Sequence, residues 1–189
     1  SMKFSSSATY KVPGHADPIA TYEDQCIESD DFYRKLYDTL GSDVEILKHE
    51  TRDGKFVREA LVHPRPEAVP GAIKAFLGAD SLDFKETMTY DPKTRTGVAR
   101  SEFVGSALRG KVSGKSGFSL RSAAPFAPRS VVHEMNNEVT ANMWLIGGQV
   151  EKSMAKELKS KFPDVQSFSQ AWLNDNVSDQ PVEADVLAA

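Results

Sequence analysis

Residues 130–144 alternate between apolar and polar side chains, a pattern that predicts one long strand with a buried face. The opposite face carries mostly polar and charged side chains and ends at Trp144. The predicted inward face contains Val131, His133, Met135, Asn137, Val139, Ala141 and Met143.

The period of the apolar positions changes after the sequence Ile146-Gly147-Gly148. Apolar residues then recur every four positions, as they do along one stripe of a helix. The stripe consists of Val150, Met154, Leu158 and Phe162. We therefore expect a hinge at the two glycines and a helix from about Gln149 that lies against the sheet.

The N-terminal part predicts one strand and two short helices. Residues 3–12 alternate as a half-buried strand does, and Pro13-Gly14 ends the pattern. Asp17 is placed to cap a first helix, with Pro18 at its first position. A second helix follows, capped by Ser29 or Asp30 and closed by Gly41.

The middle of the chain predicts strands joined by short turns. Residues 43–49 and 55–63 flank Arg52-Asp53-Gly54, a strong hairpin signal, and residues 82–90 and 97–104 form a second pair. Residues 72–77 are apolar but too few for a helix that is stable without packing. In the glycine-rich segment 105–122 we expect the glycines to mark bulges or bends. Together with the helices, this order predicts an α+β fold with an antiparallel sheet.

The composition argues against a nucleic-acid-binding protein and against an integral membrane protein. The 189 residues are 40% hydrophobic and 26% charged, and the net charge of −4 provides no basic excess for nucleic acid. Cys26 is the single cysteine, and no apolar run reaches the roughly 20 residues that span a bilayer. We therefore expect a cytoplasmic domain over residues 3–173, without integral membrane association, and a disordered acidic tail over 174–189. The sequence does not determine its oligomeric state.

Three short motifs resemble those of the START-like helix-grip superfamily, also called SRPBCC, which includes the birch-pollen-allergen fold. The motifs are Val-Pro-Gly-Ala-Ile-Lys-Ala-Phe-Leu-Gly at residues 69–78, Glu86-Thr87, and Ile-Gly-Gly-Gln-Val-Glu at residues 146–151. More closely, the chain is similar to an uncharacterised subfamily common in actinobacteria. The resemblance implies a curved sheet of about six to seven strands around a long C-terminal helix, with a hydrophobic ligand held between them. Some members of the superfamily are enzymes, some are receptors or lipid carriers, and some are co-chaperone modules.

Lys161-Phe162-Pro163-Asp164 departs from that pattern. A proline inside a helix removes a hydrogen bond and clashes with the preceding turn. We therefore expect the last helix to kink or break here, with a second segment over residues 163–173.

The sequence supports neither a phosphate-binding loop nor a metal site. Gly105 to Lys111 match the first seven positions of a phosphate-binding loop, but Val112 lacks the hydroxyl that would hold magnesium. A bent glycine-rich strand is the favoured interpretation. The four histidines have no metal-ligand spacing, and no cofactor or catalytic residue is predicted.

We expect a ligand to lie between the sheet and the last helix. The polar contacts would come from Glu86, His133 and Asn137, although a paired or exposed Glu86 and a core His133 bonded to a carbonyl are the commoner alternatives. The apolar lining would come from Phe84, Met88, Met135, Met143, Met154 and Leu158.

The leading hypothesis is therefore a non-enzymatic binder of a lipid or other hydrophobic small molecule. An enzyme of the cyclase or hydrolase kind acting on an apolar substrate is the first alternative, and would need an inward titratable group with a partner. A ligand-free interaction module is the second, and would need an apolar patch on the outer face of the sheet.

Overall fold

The computed structural model of the chain describes residues 1–69, 71–77, 82–105 and 107–179. Seven strands in this part of the chain form one antiparallel sheet in the order β1-β7-β6-β5-β4-β3-β2. The strands are β1 Met2–Lys11, β2 Ser42–Arg52, β3 Lys55–Pro64, β4 Phe84–Asp91, β5 Thr96–Phe103, β6 Val112–Ser122 and β7 Ser130–Ala141.

Helices lie between β1 and β2, between β3 and β4, and at the end of the chain. They are α1 Pro18–Tyr22, a π-helical turn Glu23–Ile27, α2 Asp30–Thr39, a 3₁₀ turn Pro66–Ala68, α3 Gly71–Leu77 and α4 Gly147–Asn176. The predicted α+β helix-grip architecture is confirmed. None of these helices has the combined length and apolarity of a membrane span.

Short local sequence signals determine where two helices begin and where one hairpin turns. Asp17 caps α1 by accepting hydrogen bonds from the backbone N–H groups of Ile19 and Ala20, and the Ser29 hydroxyl caps α2 through Phe32 N–H. Asp53 and Gly54 have φ angles of 52° and 75°, as both central residues of a type I′ hairpin turn require. The predicted caps and the predicted hairpin are confirmed.

The boundary between β7 and α4 differs from the prediction. The strand ends at Ala141 rather than at residue 144, and Trp144 is 89% exposed. The helix already begins at Gly147. A side chain at Gly147 would collide with the Ala141 carbonyl oxygen, so a glycine is needed where the chain turns.

The glycines of β6 do not produce bulges. The pairing of β6 with both β5 and β7 continues without a register shift along its length. The sheet is instead irregular in β2, where the register shifts between Ile46 and Lys48 and Leu47 is left 47% exposed.

Helix α4 continues unbroken through Pro163, so of the expected kink or break the break is wrong, and residues 163–173 are not a separate segment. Pro163 is exposed, and its ring removes one hydrogen bond on the solvent side of the helix. Buried residues on both sides, among them Ala155 and Leu173, hold the helix against the sheet and tolerate that loss.

The chain after α4 returns to the start of the fold. The helix extends to Asn176, and Asp179 accepts a hydrogen bond from Gly14 N–H at 3.0 Å. The Asp179 carbonyl lies 2.9 Å from the His15 ring. The rest of the predicted disordered tail, residues 180–189, lies outside the described residues.

Helix α4 packs against β1 and β7 at one side of the sheet. The Gln170 side chain bonds both backbone groups of Lys11, accepting from its N–H at 2.9 Å and donating to its carbonyl at 2.8 Å. The Glu151 carboxylate accepts a hydrogen bond from Ala141 N–H at 2.8 Å. These contacts fix α4 at two points along its length.

Candidate functional site

Most of the buried apolar side chains of the described residues form two clusters between the helices and the inner face of the sheet, the face that α4 covers. The first cluster includes Tyr10, Tyr22, Met88, Tyr90, Leu120, Val131 and Leu173. The second contains Leu108, Val112, Ala141 and Val150. The two clusters share no residue, and the buried Ala60 and Val139 of the inner face belong to neither of them.

Between the clusters, five strands each contribute one polar residue to the inner face. We call this set the polar band: Ser6, Asn137, Ser116, Ser101 and Glu86, from β1, β7, β6, β5 and β4 in their order in the sheet. Every member keeps part of its surface accessible, whereas the residues of the clusters are buried. The band is therefore a part of the inner face where polar side chains stay partly accessible.

Strand register brings members of the band next to one another. Asn137 lies directly opposite Ser116, and Ser101 lies directly opposite Glu86. Side chains at such positions share a face of the sheet. The Asn137 amide also donates a hydrogen bond to the Ser6 hydroxyl at 3.3 Å. The band is therefore continuous enough to contact one small molecule along several strands.

Glu86 is held by two tyrosines of α2. The Tyr33 hydroxyl donates to one carboxylate oxygen at 2.9 Å and the Tyr37 hydroxyl donates to the other at 2.7 Å. Burial, and then the adjacent Glu86 carboxylate, raise the pKa of Tyr37, and burial raises the pKa of Tyr33 likewise. Both phenols therefore stay protonated and serve as fixed donors. Glu86 is therefore paired and points inward, rather than being exposed to solvent.

Arg58 is only 3% exposed, although long basic side chains usually extend to solvent. Its guanidinium donates to Asp30 at 2.9 Å and to the Ile27 carbonyl at 3.0 Å, and it lies over the Tyr33 ring at 4.6 Å. The side chain therefore ties the N-terminus of α2 to β3 and supports the tyrosine that holds Glu86.

His133 is a core residue with a hydroxyl partner rather than the expected backbone carbonyl. Its Nδ1 lies 2.7 Å from the Tyr22 hydroxyl, and its ring is 5.2 Å from that of Phe118. Nε2 is buried and has no hydrogen-bond partner among the described residues. Burial lowers the pKa of His133 from 6.5 to about 4, so the ring is neutral at pH 7.

The other predicted lining residues lie in different parts of the interior. Met88 belongs to the first cluster, while Met143 and Met154 pack against the second. Phe84 lies between the rings of Tyr37 and Phe103, at 6.3 and 6.2 Å.

Two further residues that we predicted to line the site, Met135 and Leu158, are less buried. Met135 is half-buried directly opposite Ser6, beside the polar band. Leu158 is 49% exposed and packs in neither cluster. The structure therefore brings Glu86 and Asn137 into one band, has Met88 and Met135 at the neighbouring inward positions of β4 and β7, and leaves Leu158 at the surface of α4. Whether these residues contact a ligand stays a prediction.

The phosphate-loop resemblance has no structural support. Residues 107–110 form a turn, and Val112 begins a strand where a phosphate-binding loop requires a helix. The described residues also contain no group of three or more His, Cys, Asp or Glu side chains that could hold a metal ion.

Sequence patterns missed five residues of the site. Tyr33 and Tyr37 were predicted neither as partners of Glu86 nor as site residues, because their contacts cross about 50 positions of the chain. The four-residue spacing of the two tyrosines on α2 was the available signal, since it puts both on one helix face. Ser6, Ser101 and Ser116 interrupt the alternation of apolar residues on the inner face, and that interruption was the corresponding signal in the strands.

Solved structures with the same fold have very different sequences. A protein from Thermus thermophilus, TTHA0849, is 10% identical with a TM-score of 0.59, over 94% of this chain and 100% of that one. A START superfamily protein from Mycobacterium smegmatis is 11% identical with a TM-score of 0.56, over 89% and 97%. Norcoclaurine synthase from Thalictrum flavum, solved in complex with dopamine and hydroxybenzaldehyde, is 14% identical with a TM-score of 0.57, over 94% and 90%. These likenesses confirm the START-like, birch-pollen-allergen-like fold.

No curated protein shows significant sequence similarity to the chain. One family model does, and it matches residues 18–173, from the start of α1 to the buried Leu173 near the end of α4. The matched region includes six of the seven strands and four of the five residues of the polar band. The chain therefore belongs to the family described as protein of unknown function, DUF2505.

Proposed function

We propose that the chain binds a hydrophobic small molecule or lipid between the sheet and α4, without catalysing a reaction on it. The observation that carries this proposal is the partly exposed polar band between two buried apolar clusters. A site of this composition gives a ligand apolar walls and a few polar contacts that fix its orientation.

The structural neighbours support the proposal at the level of the fold. One is a START superfamily protein, and another was solved with dopamine and hydroxybenzaldehyde bound. A shared fold does not assign a ligand, so the polar band of this chain is the stronger support.

The outer face of the sheet gives less support to an interaction module. Lys3, Glu138, Lys115 and Arg100 follow one another across β1, β7, β6 and β5 on that face. Such a row of charges is unlike the contiguous apolar patch that commonly marks a protein-binding surface.

Native mass spectrometry of the freshly purified protein, followed by organic extraction, tests the proposal directly. We expect a stoichiometric adduct whose extract contains one class of hydrophobic molecule. A clean mass, together with no binding of the neutral hydrophobic dye Nile red, would contradict the proposal.

A variant that fills the band gives an independent test. Ser116→Leu puts a larger apolar side chain into the middle of the band. We expect at least about a tenfold loss of Nile red affinity, because that side chain occupies space that the dye would contact. Ser113→Leu is the matched control, because Ser113 lies on the same strand but faces outward and is exposed. Equal dye affinity in both variants would show that the ligand does not lie over the band.

A further inference from the structure

Glu86 is the one member of the polar band that carries a formal charge, and its contacts restrict what a ligand can offer it. A carboxylate is an acceptor only, with about four lone-pair positions on its two oxygens. Tyr33 and Tyr37 each occupy one position, at 2.9 and 2.7 Å. Acceptor capacity therefore remains on both oxygens.

The tyrosines also fix the direction of the carboxylate. Their rings lie 4.9 Å apart at an interplanar angle of 61°, and the Arg58 guanidinium stacks on Tyr33. The carboxylate is thus held by rigid aromatic donors rather than by a flexible lysine or arginine. Such an arrangement keeps the remaining lone pairs oriented before a ligand arrives.

The charge of Glu86 has no cationic partner among the described residues. Both hydrogen-bonding partners of its carboxylate are neutral, and it takes part in no ion pair there. Arg58 lies close by, but its hydrogen bonds go to Asp30 and to the Ile27 carbonyl. A ligand that brings a positive charge or a hydrogen-bond donor would therefore complete the site, while an anionic ligand would be repelled.

The rest of the band is polar but uncharged. Ser101 lies opposite Glu86, and Ser116 lies opposite Asn137, so further hydrogen bonds are possible along the band. The apolar clusters on either side favour an apolar body for the rest of the molecule.

We propose that the site selects an amphipathic ligand whose donor group, an amine or a hydroxyl, contacts the Glu86 carboxylate while its apolar body lies along the polar band. This inference rests on the proposed function, because it needs a ligand between the sheet and α4. It adds the chemical class of that ligand and the residue that selects it.

Three probes of nearly equal size and different head groups test the selection: tryptamine, tryptophol and indole-3-acetate. We expect calorimetry on the full chain to show tryptamine binding at least about tenfold tighter than indole-3-acetate, with tryptophol also tighter than the acid, since hydrogen bonds to charged groups are the stronger ones. Glu86→Gln should remove the preference for the amine. Glu102→Gln should retain it, because Glu102 is exposed on the outer face of the neighbouring strand.

A measurement on the unmodified protein keeps the test independent of how Glu86→Gln folds. Tryptamine should shift the side-chain carboxyl ¹³C resonance of Glu86, whereas indole-3-acetate should leave it unchanged. Equal binding of the three probes, or a preference for the acid, would overturn the inference while Nile red binding still supports the proposed function. If Nile red and all three probes fail to bind, both the inference and the proposed function fail.

Discussion

At Gly97, the absence of a side chain allows two aromatic rings to stack. Gly97 lies between Tyr90 and Phe118 in one row of the sheet, and the two rings are 5.8 Å apart and nearly parallel. A Cβ atom at Gly97 would collide with the Phe118 ring. The glycine therefore leaves the space in which the Phe118 ring packs against Tyr90 of the first cluster.

We expect Gly97→Ala to lower the free energy of unfolding by about 1–3 kcal/mol, because the Phe118 ring must leave its stacked position. Urea denaturation measures the change. Gly117→Ala is the matched control, since nothing lies within 4 Å of a Cβ atom built there. If both variants lose the same stability, backbone effects rather than the ring contact explain the loss.

His133 makes the stability of the protein depend on pH. Its pKa is lowered from 6.5 to about 4 in the folded protein, so the unfolded chain takes up a proton first as the pH falls. The stabilisation is fully present above pH 6.5 and is lost progressively between about pH 6.5 and pH 4, by about 3 kcal/mol in total.

Urea denaturation at several pH values tests this dependence. His133→Gln should remove the His133 contribution to the slope over that interval, while His15→Gln, at an exposed position, should leave it in place. An unchanged slope in His133→Gln would assign the pH dependence to other groups.

Single residues also show where sequence patterns are insufficient. Asp17, Ser29 and Asp53-Gly54 act on neighbours only a few positions away, so their roles were predictable. The burial of Arg58 and the pairing of Glu86 depend on α2 folding back over β3 and β4. No local pattern contains that information.

At the scale of elements, α4 shows that packing can outweigh an unfavourable residue. Pro163 lowers the intrinsic stability of the helix, yet the helix extends from Gly147 to Asn176 without interruption. The sequence predicted that the strands and α4 exist, because alternation and four-residue spacing are local, but it did not predict the boundary between β7 and α4 correctly. Of the kink or break expected at Pro163, the break does not occur, because non-local contacts hold α4 against β1 and β7.

We expect Pro163→Ala to raise the free energy of unfolding by about 1–3 kcal/mol, because it restores a backbone hydrogen bond and a good helix former. The increase in stability stays below the full cost of a proline in a helix. The reason is that losing the proline also raises the conformational entropy of the unfolded chain. Asp164→Ala, at the next exposed position, is the control in thermal and urea denaturation. A loss of stability in Pro163→Ala would mean that the proline shapes a contact that α4 needs.

For the whole molecule, the division of the core into two clusters has an energetic signature. Val131 belongs to the first cluster and Val150 to the second, and both are almost fully buried. Substitutions without shared partners add, usually within about 0.5 kcal/mol. We therefore expect the destabilisation of Val131→Ala plus Val150→Ala to equal the sum of the single effects, as measured by urea denaturation.

The control pair is Val12→Ala with Val131→Ala, since both residues belong to the first cluster. That pair should depart from additivity by more than about 0.5 kcal/mol. Strong coupling between Val131 and Val150 would instead indicate that the two clusters pack as one, and that the region around the polar band is filled.

The two bonds from Gln170 to Lys11 have a consequence for how copies of the protein meet. Strand β1 is an edge of the sheet, and an exposed edge is a template on which another chain can add a strand. Gln170 occupies the donor and the acceptor that Lys11 would offer to an incoming strand. At the opposite edge, the irregularity at Leu47 in β2 interrupts the regular spacing that such addition needs. Each edge of the sheet formed by the described residues therefore has one position that hinders the addition of a further strand.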